Sequence, residues 1–474
     1  MFKKNSIILL LGTIYILLTL YFVWNDQAYF SLASIGLIAI YAAIFYTDFT
    51  FLSIAFLTPL SINIEEYTQS FGLYIPTEPL LFGMMVLLLM MNIRKQLFPA
   101  EIWKNPLIWA VVFYIFWISL TSITSSSPIT SFKFLLARLW FMVPILLYGP
   151  VVFQKVKNIR TFVWLYVIGM MIVIAFTVFV HASYGFGEKE GHWVMWPFFK
   201  DHTIYGAMVA FTIPMVFGLY FSKKHSPLIQ AILLFFILLN LAGLYFSYTR
   251  AAWLSLFPAI VVWALIHFRV KFSILVGIVI FMGVSLFISW DSIQIDLSKN
   301  KSEHTTEDFG KKLESATNIT TDASNLERLN RWSCAISMFE DRPFFGYGPG
   351  TYSFEYARFQ EPENLTIIST NFGDAGNAHS EYLGPMAEMG FMGLIAMLLI
   401  VTAIFYKGIT LYYKWPETDS EMKTLIMMMI LSLVTYFVHA FLNNFLDTDK
   451  AAVPIWGFCA CFIALEMRLN RAEK

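Results

Sequence analysis

The chain has 474 residues, 58% of them hydrophobic and only 14% charged, with thirty-two basic side chains balancing thirty-two acidic ones. Soluble domains run near 25% charged, so an ordinary globular enzyme and a disordered protein are both excluded, and no basic excess exists to attract nucleic acid. Three cysteines cannot build a disulfide framework. What remains is an all-α, polytopic integral membrane protein.

A helix crosses a bilayer with roughly 17–25 mostly apolar residues. Such runs lie near 6–23, 28–46, 50–62, 78–93, 106–121, 134–153, 161–180, 203–221, 228–247, 251–268, 272–289, 388–406, 423–441 and 451–467. That predicts about fourteen transmembrane helices, within a range of 12 to 14. The third run is short and ends in Pro59, which fits a re-entrant segment or a merger with its neighbour. The first is followed by Trp24-Asn25-Asp26-Gln27 and not by a small-residue cleavage site, so it reads as an anchor.

With Lys3 and Lys4 inside, eighteen of the thirty-two basic residues fall in short inner segments and five in short outer loops. This positive-inside pattern predicts a multi-pass protein with both termini in the cytoplasm. Trp24, Trp193, Trp196 and Trp290 then sit at the outer boundary, as interfacial anchors do. Three regions follow: an N-terminal bundle over 1–289, a large extracytoplasmic loop over 290–387, and C-terminal helices over 388–474. No Asp or Glu falls mid-span and no matching pair of broken helices is visible, which argues against an ion-coupled transporter.

The loop carries most of the chemistry. Residues 322–343 predict a surface helix, with Ser324 and Glu327 as a capping box and Pro343 as its end. Leu326, Leu329, Trp332, Ile336 and Phe339 form one apolar face, with Arg328 beside it and Arg331 a turn further round. By themselves these arginines read equally as solvated surface charges. Phe344-Phe345-Gly346-Tyr347-Gly348-Pro349-Gly350 is either an anion cradle or a tight turn. His379, in Ala378-His379-Ser380-Glu381-Tyr382-Leu383, reads alone as a cap or an interface residue. Arg250, in Ser247-Tyr248-Thr249-Arg250, reads alone as a snorkelling arginine.

Taken in order, Arg250, Arg328 four residues before Trp332, the P-F-F-G-Y-G-P-G run and His379 resemble the O-antigen ligase family. That family shares its core domain with O-antigen polymerases and some protein O-glycosyltransferases. Its pattern H-[NSQ]-x9-G-x-x-[GTY] is met by His379, Ser380, Gly390 and Gly393. By composition such a match arises in roughly one or two chains in a hundred of this length. The resemblance is specific over about 240–400 and rests on topology elsewhere.

The resemblance implies a metal-independent inverting glycosyltransferase of the membrane-embedded GT-C type, without a cofactor. The implied donor is a glycan on a polyprenyl diphosphate such as undecaprenyl diphosphate, held among membrane lipids. The implied acceptor is a hydroxyl of a lipid A-core or related surface glycan, on the periplasmic face of a bacterial inner membrane. A leaving diphosphate needs fixed cations, for which Arg250 and Arg328 are the candidates. An attacking hydroxyl needs a base, and a histidine with a pKa of about 6.5 fits. His379 is the candidate, with Glu381 or Glu388 to orient it or to bind substrate; positioning the acceptor or stabilising the phosphate are alternative roles. Arg331 could replace Arg328, and Arg138, inside the sixth span, is a further substrate-binding candidate because an intramembrane arginine needs a partner. Asp447-Thr448-Asp449 spells an acidic D-x-D that could hold Mg²⁺ or Mn²⁺, although Asp449 also suits a helix N-cap, as do Asp201 and Thr203. A polymerase of the same superfamily is the alternative function, and a flippase or transporter of lipid-linked oligosaccharides a more distant one.

Overall fold

The computed structural model describes residues 2–25, 32–65, 72–288, 323–360 and 376–472. Residues 289–322 and 361–375 of the expected 290–387 loop lie outside the described residues, as does the side chain of Leu326. The chain divides into two compact units, Met1–Ile54 and Ala55–Lys474. The first holds α1 (Phe2–Trp24) and α2 (Leu32–Phe45), and α3 (Thr47–Leu60) begins in it.

The second unit is almost wholly helical. After a two-residue antiparallel pair, Ile62–Asn63 with Tyr74–Ile75, come α4 (Thr77–Lys95), α5 (Pro106–Ile123), α6 (Pro128–Val152) and α7 (Val156–Ser183). Then follow α8 (His202–Ser222), α9 (Pro227–Tyr245), α10 (Arg250–His267), α11 (Phe272–Ile288) and α12 (Ala323–Asp341). The last three are α13 (Leu383–Lys414), α14 (Ser420–His439) and α15 (Asp449–Ala472). Ten of the described helices are long and apolar enough to cross a membrane. This is fewer than the fourteen runs counted in the sequence. The run at 50–62 forms α3, whose 14 residues rise only about 21 Å and fall short of a hydrocarbon core of about 30 Å. Helix α1 has 23 residues and α11 has 17, lengths within the range that crosses a bilayer.

Local chemistry sets the helix starts. Asn105 Oδ1 accepts from Leu107 N at 2.9 Å with Pro106 at the first turn of α5, and Asp201 accepts from Thr203 N at 2.7 Å and Ile204 N at 3.1 Å at the start of α8. Pro144 removes a donor inside α6, and the helix passes through a π turn over Pro144–Tyr148. The most buried helices are α8, α14 and α15, and α8 packs along α14, where Gly218 admits the side chain of Met428.

Polar contacts segregate to two ends. Residues expected on inner loops pair with one another: Arg160 and Lys223 with Glu421 at 3.0 and 3.3 Å, Lys407 with Glu466 at 2.5 Å, and Arg471 with Glu101 at 3.4 Å. At the opposite ends of the helices, Lys200 meets Glu65 at 3.5 Å, Tyr248 Oη donates to Phe186 O at 2.9 Å, and Thr249 Oγ1 donates to His202 O at 2.7 Å.

Candidate active site

The site grows from the Gly-rich turn and the helix it packs on. Gly346, Gly348 and Gly350 all have positive φ, which glycine adopts without a Cβ penalty. Their N–H groups turn inward: Gly346 N donates to Arg342 O at 3.0 Å and Gly348 N to Glu388 O at 2.7 Å. The Gly350 N–H is also directed at the Glu388 carboxylate, which accepts from Tyr352 N at 2.9 Å. Of the two readings of this run, the structure gives the tight turn, because the donors an anion would need are already engaged.

The same packing explains the glycines of the His379 pattern. Helix α13 is broken at Gly390, with φ 68° and ψ −166°. The break frees backbone groups, and each finds a partner: Trp117 Nε1 donates to Met389 O at 2.8 Å, and Phe391 N donates to Pro343 O at 2.9 Å. A Cβ at Gly390 would strike the carbonyls of Pro343 and Phe344. Ser380 Oγ accepts from the N–H groups of Tyr382 and Leu383, both at 3.3 Å, closing the turn that starts the helix. The H-S-x9-G spacing is therefore a cap, one helical stretch and a kink, and it holds His379 just before the cap with a positive φ of 47°. A non-glycine residue in that region is uncommon and marks a position fixed by its surroundings.

Helix α12 supplies the cations. Leu329, Trp332, Ile336 and Phe339, the apolar face expected of a surface helix, are half-buried. The buried face is the adjacent one: Cys334, Ala335 and Met338 join Tyr347, Tyr352, Tyr356, Ala378 and Ala387 in one cluster. Glu327 Oε1 accepts from Arg331 Nε at 2.7 Å within this buried face, and the side chain of Ser324, its expected capping-box partner, lies outside the described residues. Arg331 lies 4.3 Å over the Tyr356 ring, and its Nη1 abuts Gly376, where no Cβ would fit. Arg331 is thus tied into the core, whereas Arg328 is half-buried.

Arg328 acts electrostatically on three imidazoles, those of His379, His439 and His202. Trp332 Nε1 lies 3.5 Å from His379 O. His192 stacks on His202 with ring centroids 4.2 Å apart. Arg250 begins α10 directly after Thr249, the residue bonded to His202, so the S-Y-T-R segment is fastened to the same corner. Burial, and then the charges of Arg328 and Arg331, pull the His379 pKa down to about 4; a hydrogen bond with Asn443 opposes this. The ring is therefore neutral at ordinary pH, and the value near 6.5 assumed from sequence is corrected by its cationic, enclosed setting.

Its ring partner is also revised. Asn443, not Glu381 or Glu388, bonds the His379 side chain. Glu381 Oε1 accepts from Tyr436 Oη at 3.0 Å and from the N–H groups of Phe445 and Leu446, both at 2.7 Å, pinning the 445–446 turn. Glu388 holds the Gly-rich turn, as above. These two carboxylates and Arg138 instead line a separate recess of about 190 Å³ with Asp447. Burial raises the pKa of the Glu381 carboxyl, and Arg138 opposes the rise.

The D-x-D carboxylates part company. Asp449 accepts from Ser61 Oγ at 2.5 Å in a buried network where Lys450 Nζ donates to Thr58 O at 2.8 Å and Ser61 O at 2.7 Å. Asp447 opens into the recess. Asp449 is thus not the simple N-cap expected, because its carboxylate is directed at Ser61 across the bundle. Among the described residues, no group of three His, Cys, Asp or Glu is arranged to hold a metal ion.

Residues 233–398 match the family model described as O-Antigen ligase. The match covers about a third of the chain, and it is this segment that is similar to the family. An uncharacterized protein of Haemophilus influenzae is 25% identical over 138 residues, which cover 29% of this chain and 33% of that protein. The chain therefore spans a third of that curated relative's length. Family members are glycosyltransferase-like enzymes. The matched segment contains Arg250, Arg328, Arg331, His379, Glu381 and Glu388, while Arg138, Asn443 and Asp447 come from helices and turns outside it. Sequence reasoning missed Asn443, His439, His192 and His202. Only the ionisable His439 at the end of an apolar run offered a signal; Asn443 gives none apart from the fold.

Proposed function

We propose that this protein is an O-antigen ligase-like glycosyltransferase that moves a glycan from a polyprenyl diphosphate to an acceptor hydroxyl, without a metal and with inversion. The observation that carries the proposal is the convergence of Arg328 and a neutral His379 beside a capped, kinked helix. The acceptor is a lipid A-core or related surface glycan, and the reaction runs on the periplasmic face of a bacterial inner membrane. The excess of Lys and Arg on the opposite loops supports that orientation.

In this reaction the acceptor oxygen attacks the donor's anomeric carbon. The bond from that carbon to the phosphate oxygen breaks, and its electron pair leaves with the polyprenyl diphosphate. Arg328 and Arg250 stabilise the charge that develops there, while water exclusion strengthens each contact. His379, unprotonated at the outset, takes the hydroxyl proton, and Asn443 sets the plane of its ring. Entry of the anionic diphosphate offsets the arginine field, so the imidazole becomes a stronger base once donor is bound.

The test uses purified full-length protein in detergent with lipid-linked donor and core acceptor, following donor binding and transfer separately. Arg250→Ala and Arg328→Ala should each slow transfer by about 10²–10³, and lysine should restore only part of that. His379→Ala should slow transfer by about 10²–10⁴ with donor binding nearly intact. Normal transfer by all three folded variants would overturn the assignment.

A further inference from the structure

The recess lined by Arg138 is separate from the Arg328 cluster yet shares a wall with it. Asn377, Ala378, Ser380 and Glu381 line the recess on either side of His379 in sequence, and Gly376 lines it while touching Arg331 Nη1. One turn of backbone thus separates the cationic corner from this chamber. Arg138 is 6% exposed, and its Nε and Nη1 have no hydrogen-bond partner among the described residues. Its guanidinium lies 4.5 Å over the Phe134 ring, which also lines the recess. A buried guanidinium left with free donors is costly unless something enters to receive them. Asn444 Oδ1 is likewise without a partner among the described residues and lines the same chamber.

We propose that this recess seats the terminal sugar ring of the acceptor, and that it selects an uncharged ring over a phosphorylated or carboxylated one. Its volume of about 190 Å³ gives room for roughly 13–19 water-sized sites at about 10–15 Å³ each, enough for one hexose ring. Arg138 donates to ring or hydroxyl oxygens through Nε and Nη1, its side chain also bonding the Tyr114 hydroxyl; Asn444 Oδ1 and the carboxylates of Glu388 and Asp447 accept from hydroxyls, and Phe134 supplies an apolar wall. An anionic sugar would meet the open carboxylate of Asp447 beside the buried carboxyl groups of Glu381 and Glu388, with a single lining cation against them. A ring held here presents a hydroxyl toward the His379 turn.

This inference rests on the transferase reading, but saccharide binding can be measured without turnover. Saturation-transfer NMR on the full chain in detergent would use methyl glycosides of glucose, galactose, mannose and N-acetylglucosamine, each beside its 6-phosphate. At least one neutral glycoside should bind, and its 6-phosphate should not. Arg138→Gln should weaken binding about ten- to hundredfold. Asp447→Asn, a change at the open edge of the recess, should admit the 6-phosphate. Equal binding of neutral and phosphorylated sugars by the native chain, an Arg138→Gln variant that elutes as folded protein and binds unchanged, or no glycoside signal at all, would each overturn the proposal. Loss of transfer in the Arg328 and His379 tests bears on the reaction and leaves these binding results to stand or fall separately.

Discussion

The pH dependence of transfer offers the sharpest test of His379 as the base. Its pKa is pulled to about 4, first by burial and then by Arg328 and Arg331. At pH 5 a group with that pKa is about 90% neutral, whereas an ordinary histidine near 6.5 would be only about 3% neutral. Two assumptions about the base thus differ by about thirtyfold in active enzyme at pH 5. The donor itself does not confuse the reading, because a diphosphate diester stays fully ionised across this window. The assay is kcat/KM for glycan transfer between pH 4 and 8, which reports groups on the free enzyme. The rate should fall less than twofold from pH 7 to pH 5, and Arg328→Gln should move the acid limb upward. It should stop short of 6.5, since burial is the larger cause. Folding must be checked in parallel. A histidine whose folded pKa is depressed binds fewer protons folded than unfolded, so stability is full above about 6.5 and is lost as pH falls from there to about 4. A drop of tenfold or more between pH 7 and pH 5 in protein that remains folded would refute the argument.

Three further outcomes follow from the geometry. Gly390→Ala should lower thermal stability by at least about 1 kcal/mol, because its φ of 68° and the carbonyls of Pro343 and Phe344 leave no place for a Cβ; Gly384→Ala, whose Cβ would meet Ala378 Cβ at 3.7 Å, should melt like the native chain. Transfer should persist in EDTA, and restoration of a lost rate by Mg²⁺ or Mn²⁺ would shift weight to Asp447. A cysteine at Lys189 should react with an impermeant thiol reagent added from outside and one at Glu417 should not, against a low background because Cys334, Cys459 and Cys461 are all buried; the reverse labelling would put the site on the wrong side of the membrane.

Hydropathy alone located the long helices, because burying backbone polar groups in a bilayer leaves the helix as the only local solution. The run at 50–62, already short in the sequence, forms the 14-residue α3. The linear motif likewise found His379, Arg250 and Arg328, since the cap at Ser380 and the kink at Gly390 are local requirements written into consecutive residues. It could not assign the carboxylates. Glu381 and Glu388 stand within ten residues of His379, yet one pins the 445–446 turn and the other the Gly-rich turn. Nor could it tell that Arg331 and not Arg328 is buried: helical spacing lets only Arg331 reach Glu327, but whether that pair lies in the core depends on the face that α12 turns to its neighbours. Composition and periodicity determined the class of protein and the long helices, and the motif resemblance supplied the candidate residues. The tertiary structure decided the partners of each charge, the depressed pKa of His379 and the Arg138 recess, because burial and field are sums over residues distant in the chain, and no local pattern encodes them.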